Sequence, residues 1–191
     1  MPQHPEQGRT ALLVIDMQNS YFDFPELEEQ REPVTEKVNE LIRAARDGGC
    51  PIVLIRTQHE RDGSTWTVNM HDDGQGFAFP GTEQSEYVAG LDTEGGTGLV
   101  KTRDSAFFDT DLAARLRNLD ATHLMLCGIS THSCVAQTAI DAFAHDFRAA
   151  VARDAVASEN SELSRALLAF LEDEMRQDIL HQDDAVARLR G

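Results

Sequence analysis

Apolar residues along this chain fall into two alternating patterns: short unbroken runs, and stretches with one apolar face at helical spacing. TALLVID (10–16), PIVLIRT (51–57), GLVKT (98–102), HLMLC (123–127) and FRAAVA (147–152) have the length and continuity of buried strands. Between the first two, Val34, Val38, Leu41, Ile42 and Ala45 share a face. This predicts a helix over 33–47 that opens at Pro33 and stops at Gly48-Gly49. A second helix is predicted over 112–119, with Thr110 or Asp111 as its cap. A third begins near Cys134, where Val135, Thr138, Ala139, Ala142 and Phe143 recur at helical spacing. A fourth covers 161–174, and the tail reads as a short last strand at QDIL (177–180) and a helix over 183–190. Residues 58–96 read as mostly irregular, and so long a loop inside a compact chain points to function. Strands alternating with helices predict an α/β fold with a parallel sheet.

Composition narrows the classes of function. A chain of 191 residues suffices for one sizeable core and is short for two, so a single domain over 1–191 is expected. Its 41% hydrophobic and 26% charged residues fit a soluble globular protein. The net charge of −16 argues against nucleic acid and anionic membranes as partners, since both require basic patches. No apolar run approaches the length of a membrane span. MPQHPEQGRT at the start has no apolar stretch like that of an export signal, so a cytoplasmic location with reduced thiols is expected. The three cysteines form no C-x-x-C pair, which argues against a structural zinc site.

Functional residues of parallel α/β sheets gather at the carboxyl ends of the strands. Asp16 closes TALLVID, Lys101 follows Leu99-Val100, and Cys134 lies just after HLMLC where a strand turns into a helix. Singly, each has a plain reading: a turn cap or part of a metal site, a solvated lysine, a small buried hydrophobe. Met17-Gln18-Asn19 supplies no further carboxylate for metal chemistry. Together at one sheet edge, the three fit nucleophilic catalysis. A thiol of pKa ~8.5 is only about 3% ionised at pH 7, and a shift of ~2 units, about 2.7 kcal/mol, makes it mostly thiolate. A helix N-terminus contributes roughly 0.3–1 kcal/mol of this. The rest falls to a nearby ammonium, a role Lys101 can fill. Asp16 can take the thiol proton and return it to a leaving amine.

At these residues the chain resembles the isochorismatase-like cysteine hydrolases. The motifs are ALLVIDMQNSYF (11–22), KTRDSAFFDTDL (101–112) and CGISTHSCVAQTAIDAFAHDF (127–147), in the family order, with RDAVAS (153–158) beyond them. The resemblance implies a three-layer αβα fold with a six-stranded parallel sheet, Rossmann-like, in the order 3-2-1-4-5-6. It implies a catalytic triad of Asp16, Lys101 and Cys134 and a cis peptide between Ile129 and Ser130. It also implies an oxyanion hole made by the backbone amides of Ser130 and Cys134. A small-molecule substrate, no cofactor and a homodimer or homotetramer are expected with it.

The family divides by substrate. Cys134 argues for C–N hydrolysis, because isochorismatases cleave a vinyl ether and often lack the cysteine. The chain looks more like the ureido- and carbamoyl-amide hydrolases, which implies cleavage of a small amide, ureide or carbamoyl compound through a thioester. The alternatives are a metal-dependent nicotinamidase, an isochorismatase-type hydrolase and a non-catalytic interaction module of the same fold. Nicotinamidases carry Asp-x-His and a further His that bind a metal, whereas RTQHERDGSTW (56–66) offers His59 without that Asp, and His71 lies further on. No metal is therefore expected, and His59 is read as lining the pocket or bonding the loop.

Phe22, Trp66 and Phe107 are candidate pocket walls, with core packing as the other reading. Arg103 is placed to hold a substrate carboxylate, or else to pair with Asp104 or Asp109. His132 is not expected to face Cys134, its near neighbour on the turn. Thr131 and Gln137 are expected to support that turn. Cys50 and Cys127 are expected to be buried and inert.

Overall fold

The computed structural model describes residues 8–191. Most of the N-terminal stretch read as lacking an export signal lies outside the described residues. The order is β1 (Arg9–Ile15), α1 (Pro25–Glu28), α2 (Arg31–Asp47), β2 (Ile52–Thr57), α3 (Val68–Asp73), β3 (Gly96–Lys101), α4 (Leu112–Asn118) and β4 (Ala121–Ile129). There follow α5 (Ala136–Ala144), β5 (Arg148–Ala157), α6 (Ser161–Asp173), β6 (Asp178–Leu180) and α7 (Gln182–Arg190). The six strands form one parallel sheet in the order β3-β2-β1-β4-β5-β6, as expected.

Parallel strands need crossover connections, and the helices in those crossovers cover both faces of the sheet. The strand period of two sorts the apolar residues between the faces. Leu12, Val14, Leu54, Met125 and Cys127 pack with α2 and α7 residues such as Leu41, Ile42 and Leu189. Ala11, Leu13, Ile15, Val53, Ile55, Leu124 and Leu126 pack with Leu112, Leu116, Ala139 and Leu171 of α4, α5 and α6. Strand order reverses at β1, which pairs with β2 on one side and β4 on the other. The carboxyl ends of β1 and β4 thus flank the switch point where α/β sheets open a crevice.

Gly128 makes this junction possible. It pairs with Ile15 at φ +114°, and a Cβ there would sit 2.0 Å from the Ile15 carbonyl oxygen. Only glycine lets the two strands approach that closely while β4 turns out of the sheet.

Some element boundaries differ from those the apolar pattern predicts, each for a physical reason. Helix α2 starts at Arg31, so Pro33 lies in its first turn, where amides have no intrahelical partner. Strand β5 runs five residues past FRAAVA, because exposed Arg153 and Asp154 interrupt its apolar run at a register shift. The stretch 58–96 holds α3, capped by Thr67 and ended by left-handed Gly74. Helix α3 buries no residue and so shows no apolar period.

Candidate active site

Asp16 directly follows β1 at φ +51°, a left-handed conformation that aspartate tolerates better than most side chains. Its carboxylate is fully buried, and so is Lys101 at the end of β3. Lys101 Nζ contacts Asp16 Oδ2 at 2.7 Å, Thr57 Oγ1 at 2.8 Å, the Arg103 carbonyl at 3.1 Å and Cys134 Sγ at 3.4 Å. The structure thus brings Asp16, Lys101 and Cys134 together.

Thr57, the last residue of β2, links them. Its hydroxyl donates to Asp16 Oδ1 at 3.1 Å and accepts from Lys101 Nζ and from Tyr21 Oη, the latter at 3.0 Å. That uses the one donor and both acceptors of a hydroxyl. Gln18 holds the Thr57 backbone in turn. Its Oε1 accepts from the Thr57 amide at 2.7 Å, and its Nε2 donates to the carbonyls of Thr57 at 2.9 Å and Ser85 at 3.0 Å. Thr57, Tyr21 and Gln18 escaped the sequence reading, although Thr57 ends a strand and Tyr21 and Gln18 lie in the first motif.

Cys134 sits in a one-turn π-helix, Thr131–Val135, between β4 and α5. The Ile129–Ser130 peptide before it is cis. The Ser130 carbonyl accepts from the amides of Ser133 at 3.2 Å and Val135 at 3.1 Å. The end of β5 and the residues after it hold the turn from outside. Thr131 Oγ1 donates to the Ala157 carbonyl at 3.0 Å, and Ser130 Oγ donates to Glu159 Oε2 at 3.0 Å. His132 bonds Ser158 Oγ at 2.6 Å and faces Glu159 at 3.6 Å, away from the sulfur as expected. Gln137 Nε2 donates to Asp104 Oδ2 at 2.8 Å, while Cys134 Sγ reaches Asp104 Oδ1 at 3.8 Å.

The charges differ from the sequence argument. Burial pushes the Cys134 thiol well up, against the pull of Lys101, and the Asp16 and Asp104 carboxylates add to the rise. Lys101 also spends its shorter contacts on Asp16, Thr57 and the Arg103 carbonyl, so burial favours the thiol form of Cys134 where the sequence predicted a thiolate. Burial is the largest influence on Lys101 and works against its charge, but Asp16 and the Cys134 sulfur together hold the ammonium above its ordinary range. Burial and then Asp16 keep the Tyr21 phenol neutral.

A cleft of about 420 Å³ opens beside this cluster, and its lining includes Tyr21, Thr57, His59, Phe77, Arg103 and Asp104. His59 is buried, tilts its ring against Phe77 and places Nδ1 3.0 Å from the Thr65 carbonyl. Arg103 Nη1 donates to the carbonyls of Thr65 and Thr102, each at 2.7 Å, and fastens the 58–66 segment to the end of β3. Arg103 forms no ion pair with Asp104 or Asp109 among the described residues.

The three proposed aromatic walls lie elsewhere. Phe22 packs in the core beneath α2, with the Arg31 guanidinium over its ring. A tight 3₁₀ turn over Asn19–Asp23 points neighbouring residues to different sides, and it gives the cleft to Tyr21 instead. Trp66 folds within its own loop: its Nε1 donates to the Glu60 carbonyl at 2.8 Å, and a Cβ on Gly76 would meet the indole at 2.5 Å. Phe107 stacks on His145 and Phe147 in the core. Cys127 is buried as expected, whereas Cys50 is half-buried and its thiol contacts the Leu189 carbonyl.

The residues present do not fit the nicotinamidase metal pattern. His59 Nδ1 is engaged with a carbonyl, and Thr57 stands where Asp-x-His would need a carboxylate. Among the described residues, no group of three or more His, Cys, Asp or Glu is placed to hold a metal ion.

A doubly wound parallel sheet whose carboxyl edge buries a lysine between a carboxylate and a thiol belongs to the class of small-molecule enzymes. The isochorismatase domain model matches residues 10–183, and the chain belongs to this family of hydrolases. It is 32% identical to a probable inactive nicotinamidase of Arabidopsis thaliana over 166 residues, 82% of this chain and 85% of the relative. It is 33% identical to a maleamate amidohydrolase of Pseudomonas putida over 191 residues, 95% of this chain and 87% of the relative. Among solved structures, an isochorismatase family protein from Desulfovibrio vulgaris superposes with a TM-score of 0.83 at 30% identity, covering 95% of this chain and 100% of that one. Among the described residues no helix is long and apolar enough to cross a membrane.

Proposed function

We propose that this protein is a cysteine hydrolase that cleaves the C–N bond of a small amide, ureide or carbamoyl compound through a thioester on Cys134. The observation that carries this reading is the buried Lys101 ammonium, in contact with both the Asp16 carboxylate and the Cys134 sulfur. The likeness to an amidohydrolase over 95% of the chain supports it.

Burial favours the neutral thiol, so in the proposed reaction attack and deprotonation go together. Cys134 Sγ bonds to the substrate carbonyl carbon as Asp16, which contacts the same Lys101 ammonium as the sulfur, takes the thiol proton. Lys101 keeps its charge and balances the site throughout. The backbone amides of Ser130 and Cys134 receive the developing oxyanion, where a single donor contributes roughly 2.7–4 kcal/mol. The C–N bond then breaks, Asp16 returns the proton to the nitrogen, and ammonia or an amine leaves. Asp16 next accepts a proton from water as the water attacks the thioester, and the acid is released with Cys134 restored as a thiol.

His59 adds a preference among substrates. The Thr65 carbonyl only accepts, so Nδ1 carries the hydrogen and Nε2 is left as an acceptor. Burial holds the imidazole below its ordinary pKa of 6.5 and so neutral. An acceptor on the cleft wall suits a ureide or primary amide, which brings N–H donors beside its carbonyl.

The test is a panel of small amides and ureides, with mass detection of an acyl adduct on Cys134 in rapidly quenched samples. Turnover with an adduct that maps to Cys134 is expected. Turnover retained in Cys134→Ala, or no hydrolysis across the panel, overturns the reading.

A further inference from the structure

We propose that a cavity at the amino edge of the sheet is a binding site for a small multivalent anion, a carboxylate or phosphate compound, held by Arg148, Arg176 and Arg188. The cavity measures about 340 Å³, within the size range of small-molecule sites. Its walls come from the starts of four strands: Thr10 of β1, His123 and Leu124 of β4, Arg148 and Ala149 of β5, and Asp178 of β6. It therefore opens at the sheet edge opposite the triad, and the reaction proposed above does not use it.

The charge of this cavity runs against that of the chain. In a protein of net charge −16, three exposed arginines and one histidine line this cavity with a single carboxylate among them. Arg188 pairs with that carboxylate, Asp178. Arg148 and Arg176 have no ion-pair partner among the described residues. Guanidinium forks match carboxylate and phosphate oxygens in bidentate geometry, and an anion seated between them relieves their mutual repulsion.

Backbone geometry singles out one of the three. Arg176 adopts φ +53°, a left-handed conformation that favours glycine. Four of the other five non-glycine residues at positive φ are aspartates, whose short polar side chains tolerate it. A long arginine, exposed and lining the cavity, stands in the turn before β6 despite this local cost. His123 reports the same field: after burial, Arg148 and Arg188 are the charges that lower its pKa.

The test is calorimetric titration of the full chain with citrate and, separately, with inorganic phosphate, at constant ionic strength with chloride as control. The His123 imidazole resonances are followed in parallel by NMR. Saturable binding of at least one anion is expected, with His123 shifting along the same curve. Citrate alone marks the site as one for carboxylates, and phosphate alone as one for phosphate compounds. Arg176→Gly removes a guanidinium while relieving the left-handed strain. This variant is expected to melt no lower than the parent in chloride and to bind about tenfold or more weakly. Arg148→Ala should weaken binding to a similar degree. Heats no larger than those of chloride for both anions overturn the proposal, as does unchanged affinity in both variants.

Discussion

In the proposed reaction Cys134 is the nucleophile, and its small side chain is one of many in the core cluster it joins. Cys134→Ala is expected to abolish turnover while the urea unfolding midpoint stays close to that of the parent. Lys101 behaves in the opposite way. Lys101→Ala strips Asp16 of its buried counter-charge and should destabilise the protein by about 3–5 kcal/mol, measured by urea unfolding. Thr57→Val keeps the shape of the strand end but removes the hydroxyl shared by Asp16, Lys101 and Tyr21. A hydrogen bond to a charged group is worth about 1.5–3 kcal/mol, so kcat/KM should fall about 10–100-fold in a steady-state assay. The raised thiol pKa predicts that Cys134 reacts with iodoacetamide more slowly than free cysteine at pH 8, measured by mass spectrometry of the labelled peptide. At this scale the sequence was partly legible. Asp16 and Lys101 stand out as polar residues ending apolar runs, and Cys134 as a thiol where a strand turns into a helix. Tyr21 could not be told from Phe22, because the choice between them rests on the rotation of one 3₁₀ turn.

The elements act by bringing four strand ends to one place. Strand β1 supplies Asp16, β2 supplies Thr57, β3 supplies Lys101, and β4 leads through the π-turn to Cys134. The β1–β4 contact at Ile15 and Gly128 is therefore a joint of the site as well as of the sheet. Gly128→Ala puts a methyl group against the Ile15 carbonyl and forces an alanine into a positive φ. Both thermal midpoint and turnover are expected to fall, and loss of activity at unchanged stability would contradict this account. Strands and long amphipathic helices were readable because apolar period reports burial directly. The start of α2, the far half of β5 and the whole of α3 were not. Each depends on caps, a register shift or exposed residues that leave no apolar period.

Across the whole molecule, buried titratable groups set the range of pH in which the fold is most stable. Tyr21, Lys101, Cys127 and Cys134 all have pKa values raised in the folded state. The native state therefore holds protons that the unfolded chain releases, and stability declines as pH rises past about 9, the ordinary value of the cysteines. His59 and His123 are lowered, so the unfolded chain binds protons first and stability declines as pH falls below their ordinary 6.5. Urea unfolding across pH should show a plateau between these limits, and stability still rising above pH 9 would contradict it. By itself, the sequence determined the α/β class, the parallel sheet and the three residues at the site, since apolar runs broken by single polar residues are properties of the chain. Only the tertiary structure decided the burial of Cys134, the linking role of Thr57 and the identity of the aromatic walls. It also decided the gathering of Arg148, Arg176 and Arg188 at the far edge. Desolvation and proximity depend on what distant segments bring to the same place, and no local pattern records that.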